Sequence, residues 1–187
     1  MKEHYGVFKA ANNYDILDPE TGGILLECRE ENLSTASKIL RFTGFKTVTP
    51  FYIEIREPGG KTLVTVQRGI AFFLSDVTIR DENGEVLGLL KQKLFSIGGS
   101  FDILDENGKP VMTLKGKWTG WEFKFEYEGK LLAKITKKWA GIGQELFTTA
   151  DNYIIQITDL VPENSPLRGL IIGSVMCIDM VLKEKSN

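Results

Sequence analysis

The sequence predicts a mainly β fold, a closed antiparallel barrel of about 12 strands around a buried hydrophobic C-terminal helix. Its clearest signal is a turn of the form Asp-x-x-Gly that recurs between short runs of alternating apolar residues. Residues 81–84 and 105–108 carry the same tetrapeptide, Asp-Glu-Asn-Gly. So many successive hairpins form either a sandwich or a closed barrel, which removes exposed sheet edges.

The strands are predicted from two-residue alternation on each side of the turns. The runs that precede turns are 51–56, 77–80, 101–104 and 121–127, and the runs that follow them are 63–66, 86–90, 111–114 and 131–135. Residues 152–157 form one more strand, and residues 33–50 form a longer link between the first two hairpins. The chain of 187 residues is therefore expected to fold as a single domain over residues 1–187.

The C-terminal run, residues 166–183, predicts the central helix. Pro166 suits a first helical turn, and the residues that follow are apolar on every face, so the helix must be buried in protein or in lipid. A spanning helix needs roughly 20 residues with few charges. Because the run contains Arg168 and Asp179, we place it inside the barrel. Gly169 and Gly173 then allow strands to approach it closely.

Composition argues against several classes of function. The formal net charge is −2, which does not indicate nucleic-acid binding. The two cysteines, Cys28 and Cys177, lie far apart and predict neither a disulfide framework nor a metal site. His4, the single histidine, lies at the terminus, which argues against His-dependent catalysis and zinc. We expect no secretory signal, no catalytic residues and no enzyme activity.

Residues 133–142, Ala-Lys-Ile-Thr-Lys-Lys-Trp-Ala-Gly-Ile, together with residues 144–153 and 172–179, resemble the C-terminal half of the phospholipid scramblase family. The resemblance covers most of the chain and is strongest from 131 to 184. That family belongs to the tubby-like group, as do the plant LURP-one-related proteins. The resemblance implies a barrel closed around a hydrophobic helix. It also implies association with the cytoplasmic face of membranes and a calcium-triggered movement of phospholipids between leaflets.

Two places depart from the family pattern. Residues 69–74, where animal members carry cysteines for palmitoylation, contain no cysteine. The family's calcium segment falls on residues 149–160, so the resemblance makes Asp151, Asn152 and Asp159 the candidate metal ligands and calcium the candidate cofactor. Ile154 occupies the bend where a calcium loop requires glycine, and the surrounding residues predict a strand, which argues against calcium there.

The repeat also predicts a polarised molecule. The turns are acidic and lie at one end of the barrel, whereas the strands that follow them become basic and aromatic toward the other end. We call this second set the basic rim and predict that it binds lipid; it comprises Arg68, Phe72, Phe73, Lys91, Lys93, Lys115, Lys117, Trp118, Lys137, Lys138 and Trp139. Cations beside Trp and Phe suit a membrane interface. The alternative is structural: such aromatics plug the core, and alternating lysines are a strand's solvated face.

These observations predict a monomeric, scramblase-like protein that binds anionic phospholipid at the cytoplasmic surface of a membrane, with a role in phospholipid scrambling. The first alternative is a soluble tubby-like barrel that binds a protein or small ligand without lipid transport. The second is a membrane-spanning scramblase in which residues 167–182 leave the barrel.

Overall fold

The computed structural model describes residues 4–9, 13–18, 20–30, 50–69, 77–92, 100–117, 122–136 and 152–186. Within these ranges the chain forms antiparallel strands followed by one C-terminal helix. The strands are β1 (His4–Lys9), β2 (Asn13–Leu17), β3 (Ile24–Arg29), β4 (Phe51–Arg56), β5 (Thr62–Arg68), β6 (Val77–Asp81), β7 (Val86–Gln92), β8 (Ser100–Leu104), β9 (Pro110–Lys117), β10 (Glu122–Tyr127), β11 (Lys130–Thr136) and β12 (Asn152–Ile157). The predicted mainly antiparallel β fold is confirmed.

The sheet follows chain order. Each strand pairs antiparallel with its neighbours in sequence, and β1 pairs with both β2 and β12, which closes the ring. The pairing is uneven around this ring. Most neighbours share at least four register positions, but β1 and β2 share three, and β3 and β4 also share three, from Glu27 to Arg29 on the β3 side. The first residues of β3 therefore extend beyond the cover of β4.

The two copies of the turn that have identical sequence also have the same hydrogen-bond geometry. In the first, Oδ1 of Asp81 accepts bonds from the amides of Asn83 and Glu85, each at 2.9 Å. In the second, Oδ1 of Asp105 accepts from the amides of Asn107 and Lys109 at 2.9 and 2.8 Å. The glycine that follows has a positive φ, 83° at Gly84, which an L-residue rarely adopts. Aspartate and glycine are thus required by the turn itself.

Alternation along the strands directs every second side chain into the barrel. Phe51, Ile53 and Ile55 of β4 are buried, whereas the residues between them are half-buried. The same pattern places Phe123 and Phe125 of β10 inside. These inward residues join the core cluster that also contains Leu170, Ile171 and residues 175–178 of the helix.

The C-terminal helix spans Pro166–Ser186 and begins at the turn end of the barrel. The hydroxyl of Ser165 caps it by accepting the amide of Leu167 at 3.3 Å. The residues 173–178 are all buried, and six consecutive residues cover every direction around a helix. The helix is therefore surrounded by protein over this stretch, where it contacts β5, β6 and β7.

Glycines set the distance between helix and wall. A Cβ at Gly173 would lie 2.9 Å from Cγ2 of Ile79, and one at Gly169 would lie 3.0 Å from Cγ2 of Val64. On the wall side, a Cβ at Gly88 would meet Leu170 Cδ1 at 2.8 Å. The prediction that Gly169 and Gly173 permit close approach is confirmed. Among the described residues, no helix has the length and apolarity needed to cross a membrane.

Candidate functional site

Arg68 corrects the predicted basic rim. It lies at the end of β5 but is buried, with 2% of its surface exposed, so it does not face solvent or lipid. Its guanidinium carbon lies 4.7 Å from the ring centroid of Phe51, its register partner in β4. The planar guanidinium cation of arginine packs favourably against the face of an aromatic ring. The structure therefore assigns Arg68 to the packing of the barrel wall.

Two other members of the rim lie on the outer face of the barrel wall. Lys91 in β7 and Lys115 in β9 are both exposed, with β8 between them. Nζ of Lys115 lies 3.1 Å from Oε2 of Glu126 on the adjacent strand. Lys115 therefore forms a cross-strand ion pair, which agrees with the structural alternative for this residue. Lys117 is the last residue of β9.

The remaining members of the basic rim fall outside the described residues. They are Phe72, Phe73, Lys93, Trp118, Lys137, Lys138 and Trp139. Their assignment to lipid binding stays a prediction from sequence.

The predicted calcium ligands do not form one site. Asn152 is the first residue of β12, whereas Asp159 follows the end of that strand, and Asp151 lies outside the described residues. At about 3.3 Å per residue, the intervening strand separates Asn152 from Asp159 by roughly 20 Å. Calcium ligands lie about 2.4 Å from the ion, so these two residues cannot share one. The extended segment keeps Asn152 and Asp159 apart, and the calcium assignment of the set stays a prediction from sequence because Asp151 lies outside the described residues.

The described residues also contain no group of three His, Cys, Asp or Glu side chains arranged to hold a metal. Cys28 and Cys177 are both buried. Burial raises the pKa of the Cys28 thiol to about 12, and the nearby cation of Arg29 opposes that rise only in part. A thiol that stays protonated is a poor nucleophile. Cys28 therefore contributes to the core rather than to chemistry.

A cleft of about 470 Å³ opens beside the start of the helix, where the barrel mouth is not filled. We call it the mouth cleft. Its floor is apolar and comes from β3, β4, β5, β7 and the helix: Leu26, Ile55, Leu63, Val64, Leu87, Gly169 and Ile172. Its volume lies within the roughly 300–1,000 Å³ typical of small-molecule sites. The short pairing between β3 and β4 leaves Leu26 available to this cleft.

The rim of the mouth cleft carries charges of both signs. Its charged residues are Lys61, Asp81, Glu82, Glu163 and Arg168. Nζ of Lys61 lies 2.6 Å from Oε2 of Glu82, and this partner raises the pKa of Lys61. Arg168 donates from Nε to the carbonyl of Pro162 at 3.0 Å and from Nη2 to the carbonyl of Val161 at 3.1 Å. The arrangement suits an amphiphile whose chain enters the floor and whose polar end stays at the rim.

Sequence patterns did not reveal the mouth cleft. Leu26, Leu63 and Leu87 have the alternation of ordinary barrel strands, and nothing local separates them from core residues. One signal was present nearby. Pro166 starts the helix directly after the polar residues 163–165, which places a helix end, a charged segment and the acidic turns at one mouth of the barrel.

Comparison with characterised proteins gives consistent sequence matches. Human phospholipid scramblase 1 is 26% identical over 153 residues, covering 73% of this chain and 47% of that protein. Human phospholipid scramblase family member 5 is 24% identical over 150 residues, covering 72% and 54%. A Saccharomyces cerevisiae protein named altered inheritance rate of mitochondria protein 25 is 22% identical over 174 residues, covering 80% and 53%. The chain thus spans about half the length of these relatives.

A solved structure supports the fold alone. The X-ray structure of an Arabidopsis thaliana protein aligns with a TM-score of 0.56 at 13% identity and covers 99% of this chain and 92% of that one. The Scramblase family model matches residues 3–185. The match extends over nearly every element of the barrel and into the C-terminal helix, and on this ground the chain belongs to the Scramblase family.

Proposed function

We propose that this protein is a scramblase-like, phospholipid-binding protein with a tubby-like barrel, which associates with the cytoplasmic surface of membranes through its basic rim. The observation that carries the proposal is the family match over residues 3–185. It is supported by relatives that are named phospholipid scramblases. We propose that the whole of residues 1–187 acts as one domain.

The packing of the helix favours action at a surface. Leu170, Ile171 and residues 175–178 are buried in the barrel interior, where they join one core cluster with residues of the wall. A lipid passing along the described part of the helix would have to displace that core. We therefore propose that any movement of phospholipid between leaflets occurs where the protein meets the bilayer, and not through the barrel.

Charge supports one orientation on the membrane. The turn end of the barrel is acidic on balance. In or beside its turns lie Asp18, Glu20, Glu57, Asp81, Glu82, Glu85, Asp105, Glu106, Glu128, Asp159 and Glu163, against the cations Lys61, Lys109, Lys130 and Arg168. An anionic lipid surface repels such an end, whereas each nearby Lys or Arg gains about 1 kcal/mol from that surface. The opposite end, where the predicted basic rim lies, is therefore the end that we propose faces anionic lipid.

Vesicle sedimentation tests this proposal. Reversing two rim charges, with Lys137→Glu and Lys138→Glu together, should weaken binding to vesicles containing phosphatidylserine by at least about tenfold, because each cation contributes about 1 kcal/mol. Phe72→Asp with Phe73→Asp should also reduce binding, since charged side chains resist insertion at headgroup depth. The matched control is Lys109→Glu with Lys130→Glu, which reverses two exposed charges at the turn end.

The outcomes separate the competing functions. Loss of binding in the rim variants but not in the control supports the proposal. Equal binding by all variants, or no binding of the parent protein at low salt, would overturn it and favour a soluble module for a protein or small ligand. The sedimentation is repeated in the presence of calcium. Asp159→Ala should leave any calcium-dependent change in binding unaltered, because Asp159 is far from Asn152 along an extended segment.

A further inference from the structure

The shape and the charges of the mouth cleft indicate which class of lipid this protein could bind there. It lies at the acidic turn end of the barrel, away from the predicted basic rim. Its shape and charges must therefore be explained separately from membrane docking.

The floor of the mouth cleft is suited to one hydrocarbon chain. Leu26, Leu63, Leu87 and Ile172 are half-buried rather than buried, although each packs against the core. Their exposed apolar surface is collected in one concave place. Burying apolar surface gains roughly 25 cal/mol per Å². A saturated chain would bury these four side chains together without opening the barrel.

Leu26 shows why this surface belongs to the cleft. It shares the inward face of β3 with Cys28, whose register partner is the buried Ile55 of β4. The adjacent Leu25, which the register between β2 and β3 skips, is 45% exposed and does not line the cleft. Leu26 pairs with Ile16 of β2 on one side, but β4 does not pair with this part of β3, so on the other side Leu26 has the cleft beside it. The two leucines therefore differ in environment but not in chemistry.

The rim favours a headgroup that carries a positive charge. Three carboxylates, Asp81, Glu82 and Glu163, stand against two cations. Lys61 and Glu82 pair with each other and offset one another's charge, and Arg168 donates to two backbone carbonyls, so the rim keeps the net negative charge of one carboxylate. The start of the helix is capped as well, because the Arg168 amide donates to the Ser165 carbonyl at 2.9 Å. A purely anionic headgroup would meet an excess of negative charge.

A single anionic group is nevertheless tolerated beside Arg168. The two bonds to carbonyls use two of the five N–H groups of its guanidinium. A phosphate joined to an ammonium group by a short linker would satisfy both parts of the rim. Phosphocholine and phosphoethanolamine have this chemistry.

We propose that the mouth cleft binds a single-chain zwitterionic phospholipid, with its chain on the floor formed by Leu26, Leu63, Leu87 and Ile172. The phosphate lies beside Arg168, and the ammonium group lies on the side of the rim that carries Asp81 and Glu163, the carboxylates outside the Lys61–Glu82 pair. The inference rests on the proposed function for its lipid class and adds a second, headgroup-selective site to it.

Titration of the 187-residue chain with dodecylphosphocholine below its micelle concentration, followed by amide chemical shifts, tests the proposal. Shifts should concentrate at the floor residues. Dodecyl phosphate, which lacks the ammonium group, should bind at least about tenfold more weakly, and glycerophosphocholine, which lacks the chain, should not bind measurably. Equal affinity for the two chain-bearing probes would mean an adventitious detergent only and would overturn the headgroup assignment.

Two pairs of variants sharpen the test. Leu26→Gln should weaken binding of dodecylphosphocholine at least about fivefold, because it places an amide on the floor. Leu25→Gln, at an exposed neighbour that does not line the cleft, should leave the affinity unchanged. Glu163→Lys should reduce the preference for dodecylphosphocholine over dodecyl phosphate, whereas Glu106→Lys, on a turn that does not line the cleft, should keep it. Equal affinity in the two leucine variants, with both still folded by their melting temperatures, would overturn the site.

The proposal for the mouth cleft and the proposal for membrane docking can be disproved independently of each other. If the rim variants at Lys137 and Lys138 do not change vesicle sedimentation, the docking model is wrong while the titration still reports on the cleft. If Leu26→Gln does not change the titration, the cleft assignment is wrong while vesicle binding still reports on the rim.

Discussion

The guanidinium of Arg68 lies 4.7 Å above the ring of Phe51, its register partner on the neighbouring strand, and both residues are buried. The pair joins β4 to β5 at the end of the barrel opposite the hairpin turns. A cation that the sequence assigned to a lipid-facing surface thus contributes to packing. The planar guanidinium lies over the ring, and at 2% exposure the aliphatic stem is enclosed with it.

Arg68→Ala is expected to lower the free energy of unfolding by at least about 2 kcal/mol, because it removes a desolvated cation–π contact and the packing of the stem. Urea denaturation measures this change. The matched control, Gln67→Ala, alters the exposed neighbour on the same strand and should stay within about 0.5 kcal/mol of the parent. A neutral Arg68→Ala variant would contradict the packing role.

Gly173→Val is expected to destabilise the protein by about 2–3 kcal/mol through overpacking. Even a Cβ at this position would lie 2.9 Å from Ile79 and 3.2 Å from Val66, so the helix must move away from β5 and β6. This loss exceeds the roughly 0.5–1 kcal/mol that leaving glycine gains in a helix. Thermal denaturation measures it. Gly69→Val, where an added Cβ meets nothing within 4 Å, serves as control.

The ion pair between Arg29 and Asp15 should couple β3 to β2 by about 1 kcal/mol in a double-mutant cycle with Arg29→Gln and Asp15→Asn. Nη1 of Arg29 lies 2.7 Å from Oδ1 of Asp15, and both side chains are no more than one-third exposed. A parallel cycle on Lys61 and Glu82 should give a smaller coupling. That pair is as close, at 2.6 Å, but far more exposed. Equal couplings would show that burial does not determine the strength of these pairs.

Because its thiol is buried, Cys28 should make the folded protein less stable at alkaline pH. Burial raises its pKa from 9.0 to about 12, so the folded state holds the proton where the unfolded chain has released it. Stability from this group is fully present below pH 9 and falls as pH rises toward 12. At pH 10 the loss should be about 1 kcal/mol.

Urea denaturation at pH 8 and pH 10 measures this loss, and Cys28→Ala should remove that part of the pH dependence. The comparison is needed because Tyr52 also has a raised pKa, caused first by burial and then by Glu54. In the folded parent at pH 8, neither Cys28 nor Cys177 should react with a thiol reagent, since both are buried. Rapid labelling of Cys28 before unfolding would contradict its assignment to the core.

Local chemistry explains why much of the fold was predictable. The Asp-x-x-Gly turns depend on contacts within five residues, as at Asp81 and Asp105, where one side-chain oxygen organises the whole turn. The helix was predicted from 166 to 183 and observed as Pro166–Ser186, because proline, a serine cap and a fully apolar run are local signals. Strand alternation predicted the inward residues of β4 in the same way.

The functional residues were less predictable because their roles depend on distant neighbours. Arg68 ends β5 and Lys115 lies near the end of β9, yet Arg68 is buried against Phe51 and Lys115 is exposed beside Glu126. Nothing within a few residues of either distinguishes them. The calcium candidates depend on distant geometry in the same way, since Asn152 and Asp159 are close in sequence, yet Asn152 begins β12 and Asp159 lies beyond its other end.

By itself, the sequence determined the hairpin turns, the antiparallel strands, the apolar helix and membership in the Scramblase family, because periodicity, turn chemistry and motif spacing are properties of adjacent residues. Only the tertiary structure decided that Arg68 is buried and that β3 extends beyond β4 to leave Leu26 beside a cleft. Burial and cavities arise from the meeting of elements far apart in the chain. No local pattern encodes which face of a strand will remain uncovered once the ring and its helix have packed.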